Sequence, residues 1–149
     1  MEKIMGGRCF FIGHRDAPDS IFPQLLSAVE RHIVEYGVTE FLVGGYGRFD
    51  ALAASAVRQL KHKYSNIQLV KLLPYYAPHR SATGMEQFDG SLYPDGMEKV
   101  PKRLAIIRAN RYAVDSSQYM IAYVRRFGNS RNILEYAQKR LLIENLAET

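Results

Sequence analysis

The sequence has very little of several features that would place it in a specialised class of protein. It contains one cysteine in 149 residues, so no intrachain disulfide can form and nothing points to an oxidising compartment. No apolar run approaches the roughly 20 residues that span a bilayer, and residues 1–7 lack the apolar core of a secretory signal. We therefore expect a cytoplasmic protein that does not interact with membranes.

Dense charge and metal-binding patterns are missing as well. The net charge of +5 arises from 20 basic and 15 acidic residues, without the Lys/Arg run that is typical of a nucleic-acid-binding tail. The four histidines have no matched partners at the spacing of metal ligands, so we expect no metal site. A mild basic excess is compatible with an anionic ligand but does not require one.

The apolar runs and amphipathic segments alternate, which predicts an α/β domain with a mostly parallel sheet of about five strands. We take residues 1–149 as a single domain. The clear strands are 8–12, 39–43, 67–73 and 118–124, and the helices are about 21–36, 51–64 and 102–114, with a last helix that ends at about 139. Asp50 is expected to cap the second helix, and Asn129 or Ser130 the last one.

Two segments do not follow this pattern. Residues 76–101 are rich in proline and glycine, which predicts a long irregular loop that suits a lid and leaves room for a short strand or helical turn. Residues 141–146 fit either the continuation of the last helix or a closing strand, and periodicity does not decide between them.

Three of the predicted strands end in polar or glycine-rich turns: 13–15, 44–50 and 128–132. In an open α/β sheet, ligands bind beyond the carboxyl ends of the strands, where the chain direction reverses. Backbone N–H groups at helix N-termini and arginine side chains both favour anions. The three turns therefore predict one pocket for an anion on a small organic body, for which a nucleotide or nucleotide-sugar is the best fit.

The residue types in these turns suggest individual roles. Glycine lets the backbone approach a ligand closely, although neither G-K-[ST] nor G-x-G-x-x-G occurs here. The candidate ligand-binding residues are Gly13, His14, Arg15, Gly44, Gly45, Gly47, Arg48, Asp50, Arg111, Asp115, Gly128, Asn129, Ser130 and Glu135. Tight turns, helix caps and salt-bridged surface faces would explain the same residues without a ligand.

Four segments resemble the motifs of a known family. Residues 11–15 resemble its "TGHR" element, 42–50 its "GGALGVD" element, 108–117 its "RNrymVD-x-S" segment and 128–137 its "GGTxxTvEYA" segment. In this order they are similar to the YpsA-like family of the SLOG superfamily. The resemblance implies a Rossmann-like, three-layer α/β/α fold and a nucleotide-derived ligand. It also implies kinship with the Lonely-Guy phosphoribohydrolases and with the single-strand-binding DNA-processing protein A.

The last motif departs from the phosphoribohydrolase pattern "GGxGTxxE". Gly128 and Glu135 match it, whereas Arg131 and Asn132 do not, so hydrolysis is not carried over from the resemblance. Asp50 and Glu135 remain candidate catalytic residues, because cleavage of a glycosidic bond commonly uses two carboxylates at a defined separation.

Three functional hypotheses follow from these observations. The first is a sensor or ligand-binding protein for a nucleotide-type small molecule. The second is an N-glycosidic hydrolase or transferase that acts on nucleotides. The third is binding of single-stranded nucleic acid, which the basic balance weakly favours. Apolar helix faces that the core does not need could in addition form a homo-oligomer.

Overall fold

A six-stranded parallel sheet forms the centre of the computed structural model, which describes residues 6–75 and 87–148. Its strands are β1 (Arg8–Gly13), β2 (Glu40–Val43), β3 (Gln68–Leu72), β4 (Gly90–Leu92), β5 (Tyr119–Tyr123) and β6 (Leu142–Asn145). The spatial order is β4-β3-β2-β1-β5-β6, and each neighbouring pair is parallel. The predicted fold class is confirmed, and the sheet has six strands rather than about five.

Within the described ranges, four α-helices cover the two faces of this sheet. They are α1 (Phe22–Tyr36), α2 (Arg48–Lys61), α3 (Lys102–Asp115) and α4 (Asn129–Ala137). Side chains of α1 and α2 form one buried cluster, and those of α3 and α4 form the other. None of the helices in the described ranges has the length and apolar character needed to cross a bilayer.

The sequence of β1 explains why both faces of the sheet are buried. Successive side chains of a strand point to opposite faces. Accordingly, Cys9 and Phe11 pack with α1 and α2, whereas Phe10 between them packs with α3 and α4. A parallel strand covered on both sides reads as a continuous apolar run instead of an alternating one, which is the pattern of residues 8–12.

The structure resolves the two segments that the sequence leaves open. Strand β6 lies within residues 141–146 and pairs with β5, followed by a 3-10 helix at Leu146–Glu148. The described part of the predicted loop contains β4, which pairs with β3, and a 3-10 helix at Met97–Lys99. Residues 76–86, including the centre of the predicted lid, lie outside the described ranges.

The expected helix caps are wrong for both helices that follow a polar turn. Helix α2 begins at Arg48 after Gly47, so Asp50 is its third residue instead of its cap. Helix α4 begins at Asn129 after Gly128, and no side chain caps it. In both cases a glycine takes the cap position. A Cβ atom at Gly47 would lie 2.5 Å from Cα of Arg15, and Gly128 has a φ of +142°, a conformation that glycine adopts without strain.

The order of the strands also fixes where a ligand can bind. From β1, the chain builds β2, β3 and β4 on one side, while β5 and β6 lie on the other. The direction of the connections therefore reverses between β1 and β5. In open α/β sheets, the crevice at the carboxyl ends of such a strand pair is the usual ligand site.

Close packing at the end of β1 gives a test of this arrangement. A Cβ atom added to Gly13 would lie 2.3 Å from Cγ of the fully buried Phe49. We expect Gly13→Ala to lower the free energy of unfolding by about 1–3 kcal/mol through overpacking, as measured by urea denaturation.

Gly90→Ala is the matched control, because a Cβ atom at that position meets nothing within 4 Å. It should leave the free energy of unfolding almost unchanged or raise it slightly. Equal stabilities of the two variants would contradict the close contact between β1 and Phe49.

Candidate functional site

A cleft of about 150 Å³ opens at the carboxyl ends of the central strands. It brings together six of the predicted residues from all three turns: Gly13, Arg15, Gly44, Asp50, Asn129 and Ser130. Its wall is completed by Phe10, Phe11, Ile12, Tyr46, Ile106 and Asn110. A neighbouring recess of about 190 Å³ shares Asp50 and is lined by Gly45 and Gly47 together with Arg58 and Phe88.

Hydrogen bonds tie the turn after β1 to the two helices that begin beside it. The backbone N–H of Arg48, the first residue of α2, donates to the carbonyl oxygen of Arg15 at 2.8 Å. On the other side, the Ser130 hydroxyl of α4 donates to the carbonyl oxygen of Gly13 at 3.0 Å. The three turns therefore form one connected structure around the end of β1.

The carboxylate of Asp50 holds the glycine-rich loop in place. Its Oδ2 atom accepts hydrogen bonds from the backbone N–H groups of Gly45 and Tyr46, both at 2.9 Å. Gly45 has a φ of +94°, a conformation that glycine adopts without strain. The sequence predicts that the N–H groups of this loop bind a phosphate. In the structure, two of them already donate to a carboxylate of the protein.

Burial raises the pKa of Asp50 above its ordinary value, and three features oppose that shift. They are the two hydrogen bonds from the backbone and the positive charge of Lys71. The N–H groups of Arg48 and Phe49 at the start of α2 donate to backbone carbonyl oxygens. The N-terminus of α2 and the loop before it therefore have most of their donors satisfied from within the protein.

The start of α4 is different. Within the described ranges, no hydrogen bond occupies the backbone N–H groups of Asn129 and Ser130, and both residues line the cleft. Free donors at the first turn of a helix carry a partial positive charge and favour an anion. The unsatisfied helix N-terminus at this cleft is therefore that of α4.

Asn110 of α3 brings a further polar side chain to the cleft. Only 9% of the residue's surface is exposed, and its side chain makes no hydrogen bond with the residues that the structure describes. Its carboxamide atoms keep contact with solvent, since they are not among the described buried side-chain atoms that lack a partner. The carboxamide therefore offers a ligand in the cleft one donor group and one acceptor without breaking a hydrogen bond of the protein.

His14 has a structural partner. Its Nε2 atom accepts a hydrogen bond from the backbone N–H of Arg125 at 2.8 Å, which requires the ring to be neutral at that nitrogen. Burial lowers the pKa of His14, and nearby arginines, chiefly Arg126, lower it further against the opposing charge of Asp16. The imidazole thus holds the turn after β5 against the turn after β1.

Besides His14, five of the predicted residues do not line the cleft or the recess. Arg48 forms an exposed ion pair with Asp19 at 2.6 Å. Arg111 and Asp115 of α3 contact Tyr136, the arginine 5.2 Å from the ring centroid and the carboxylate accepting from the hydroxyl at 2.9 Å. Glu135 is exposed on α4 and does not line the cleft. Gly128 precedes α4 and does not line the cleft either.

Sequence reasoning gives little weight to two residues that line the cleft, Asn110 and Ile106 of α3. Asn110 does carry a signal in the sequence, because asparagine is unfavourable in the interior of a helix and here stands among alanine and arginine. Ile106 carries none, since an isoleucine in a helix normally indicates only the core.

Comparison with known proteins shows the fold. No family model matches the chain, and no curated protein does. A solved structure of DNA processing protein A from Helicobacter pylori, reported for its single-stranded DNA binding mode, matches with a TM-score of 0.63 and 16% identity. The match covers 95% of this chain and 67% of the other. The fold is Rossmann-like.

The lowered pKa of His14 gives a prediction about stability and pH. The unfolded chain, in which histidine titrates near 6.5, takes up a proton more readily than the folded protein. The contribution of the neutral His14 side chain to the free energy of unfolding is therefore complete above that pH. It is lost as the pH falls below it. His32 shifts in the same direction, mainly because of burial.

We expect His14→Gln to reduce the loss of unfolding free energy between about pH 7 and pH 5, because glutamine accepts the Arg125 N–H without titrating. Urea denaturation across that range measures the effect. His62→Gln is the control, since His62 is exposed. A His14→Gln profile as steep as that of the unsubstituted protein would contradict the assigned role of the imidazole.

Proposed function

We propose that this protein binds the phosphate group of a nucleotide in the cleft at the carboxyl end of β1. The observation that carries the proposal is the side chain of Asn110, which lines the cleft and makes no hydrogen bond with the described residues. The N–H groups of Asn129 and Ser130 supply further donors, and a helix N-terminus favours negative charge. Asn110 and the start of α4 would thus contact the phosphate oxygens together.

The charges around the cleft support an anionic ligand. Arg15 lines it, is exposed, and forms no ion pair with other residues of the described ranges. The Nε atom of Arg131, at the start of α4, is buried without a hydrogen-bond partner there. Guanidinium groups bind phosphate oxygens through paired hydrogen bonds, so these arginines would add attraction beyond that of the helix terminus.

The shape of the cleft sets how much of a nucleotide it can enclose. Its volume of about 150 Å³ is smaller than the roughly 300–1,000 Å³ of typical small-molecule pockets. Ile12, Tyr46 and Ile106 provide apolar wall beside the polar groups. We infer that the phosphate and part of the sugar are enclosed and that the base lies at the rim.

The resemblance to the YpsA-like family supports a nucleotide-derived ligand. With such a ligand, the protein would act as a sensor or ligand-binding protein. Catalysis at an N-glycosidic bond gains no support from the geometry. Of the two candidate carboxylates, Asp50 lines the cleft and Glu135 does not. Asp50 is moreover engaged in holding the glycine-rich loop.

Asn110→Asp tests the phosphate site with almost no change in shape. A carboxylate beside the phosphate would repel it, so we expect the affinity for nucleoside 5′-monophosphates to fall about tenfold or more, or ~1.4 kcal/mol. Isothermal titration calorimetry measures the affinity, and thermal unfolding confirms that the variant is folded. Asn66→Asp makes the same charge change at an exposed position outside the cleft.

A fall in affinity confined to Asn110→Asp is the expected result. The proposal is overturned by equal affinities of the two folded variants. It is also overturned if neither the nucleoside monophosphates nor inorganic phosphate binds the unsubstituted protein.

Single-stranded nucleic acid is a second candidate ligand. The specific observation in its favour is the fold shared with a protein that binds single-stranded DNA, together with the unpaired arginines at the same edge. Such binding should weaken with salt, by about 0.7 in the log–log slope for each phosphate contacted. Fluorescence anisotropy of a labelled deoxythymidine oligomer at increasing salt measures that slope, and an absent or salt-independent signal excludes this candidate.

A further inference from the structure

One side chain beside the cleft is far more exposed than its chemistry favours. Phe127, between β5 and α4, has 90% of its surface exposed. The other large apolar side chains that are exposed in the described ranges show 38–62%. A phenylalanine left almost wholly in water contributes little to the core, so its position in the molecule points to another role.

The chain on either side of Phe127 is held firmly. Asn145 of β6 bonds both the backbone N–H and the carbonyl oxygen of Val124, at 3.1 and 3.0 Å. The next residue, Arg125, donates its N–H to His14 at 2.8 Å. Two residues after Phe127, Asn129 lines the cleft. The aromatic ring therefore stands on an anchored turn that leads, two residues later, into the wall of the proposed phosphate site.

Positive charge flanks the ring in sequence. The side chain of Arg125 makes no ion pair with any residue of the described ranges, and Arg126 is paired with the exposed Asp16 at 2.7 Å. Alternation of basic and aromatic side chains is the chemistry that binds single strands, because arginines contact phosphates while aromatic rings stack on bases. The turn combines these two elements in three consecutive residues.

We propose that Phe127 is a stacking platform for a nucleobase of single-stranded nucleic acid, with Arg125 contacting an adjacent phosphate. The inference rests on the proposed phosphate site, because it places the base at the rim that the cleft is too small to enclose. A free nucleotide could supply the same base, so the experiment distinguishes the two sources.

Phe127→Leu removes the aromatic ring and keeps an apolar side chain, and Phe127→Tyr restores a ring. For a labelled deoxythymidine oligomer, we expect the leucine variant to bind about 5- to 150-fold more weakly, and the tyrosine variant to bind like the unsubstituted protein. An abasic oligomer of the same length should bind both variants equally. Tyr112→Leu is the control, since it removes an exposed ring in the last turn of α3.

The salt slope separates the two parts of the proposal. Arg125→Gln should reduce the log–log slope by about 0.7, whereas Phe127→Leu should leave it unchanged. The platform is overturned if Phe127→Leu binds the oligomer as tightly as the unsubstituted protein, or if Tyr112→Leu weakens binding equally.

Nucleoside monophosphates identify the source of the base. If Phe127→Leu weakens their binding to the same extent as oligomer binding, the base belongs to the nucleotide in the cleft, and the assignment of Phe127 to a single strand is overturned. If only the oligomer is affected, the base belongs to a neighbouring unit of a strand. Failure of the phosphate site itself would appear instead in the Asn110→Asp variant, which leaves Phe127 intact.

Discussion

The position of β1 between β2 and β5 is the constraint on which the rest of the structure depends. Both neighbours are parallel to β1 and in register with it over several residues, so the turns that follow all three strands emerge at one edge. This edge is where the connections change direction, and the chain cannot fill it with a crossover helix. The cleft is thus a consequence of strand order.

The two helices that start at this edge have different roles. At α2, the carboxylate of Asp50 and the backbone carbonyl groups of the turn after β1 accept hydrogen bonds from the N–H groups of the loop and the first turn. The start of α2 is therefore connected by hydrogen bonds to the loop before it and to the turn after β1. At α4, the donors of Asn129 and Ser130 face the cleft without protein partners in the described ranges. Only at the start of α4 can an anion bind to the N–H groups without breaking an existing hydrogen bond.

Histidine and arginine at the same edge illustrate how a residue type with obvious chemistry can serve the structure. His14 follows a strand in a turn that suits catalysis or phosphate binding, yet its ring nitrogen is bonded to a backbone N–H. The imidazole joins two turns, and burial together with the surrounding arginines lowers its pKa and so favours the neutral form. The positive potential that those arginines create remains available to a ligand.

Much of the architecture could be predicted from the sequence, because apolar runs on a doubly covered parallel sheet and amphipathic helices have distinct periodicities. The helix caps could not, since Gly47 and Gly128 replaced the polar side chains that normally mark a helix start. Strands β4 and β6 were also undecided. Both are short edge strands whose pairing partner, and not their own pattern, makes them strands.

The sequence by itself determined the fold class and the edge of the sheet at which polar turns collect, since both follow from local periodicity and turn chemistry. Only the tertiary structure decided which of those polar groups are free. Asp50 accepts from amides of its own loop and His14 from the distant amide of Arg125, whereas Asn110 of α3 reaches the cleft without such a partner in the described ranges. Whether a donor is satisfied depends on contacts between distant segments, which no local pattern specifies.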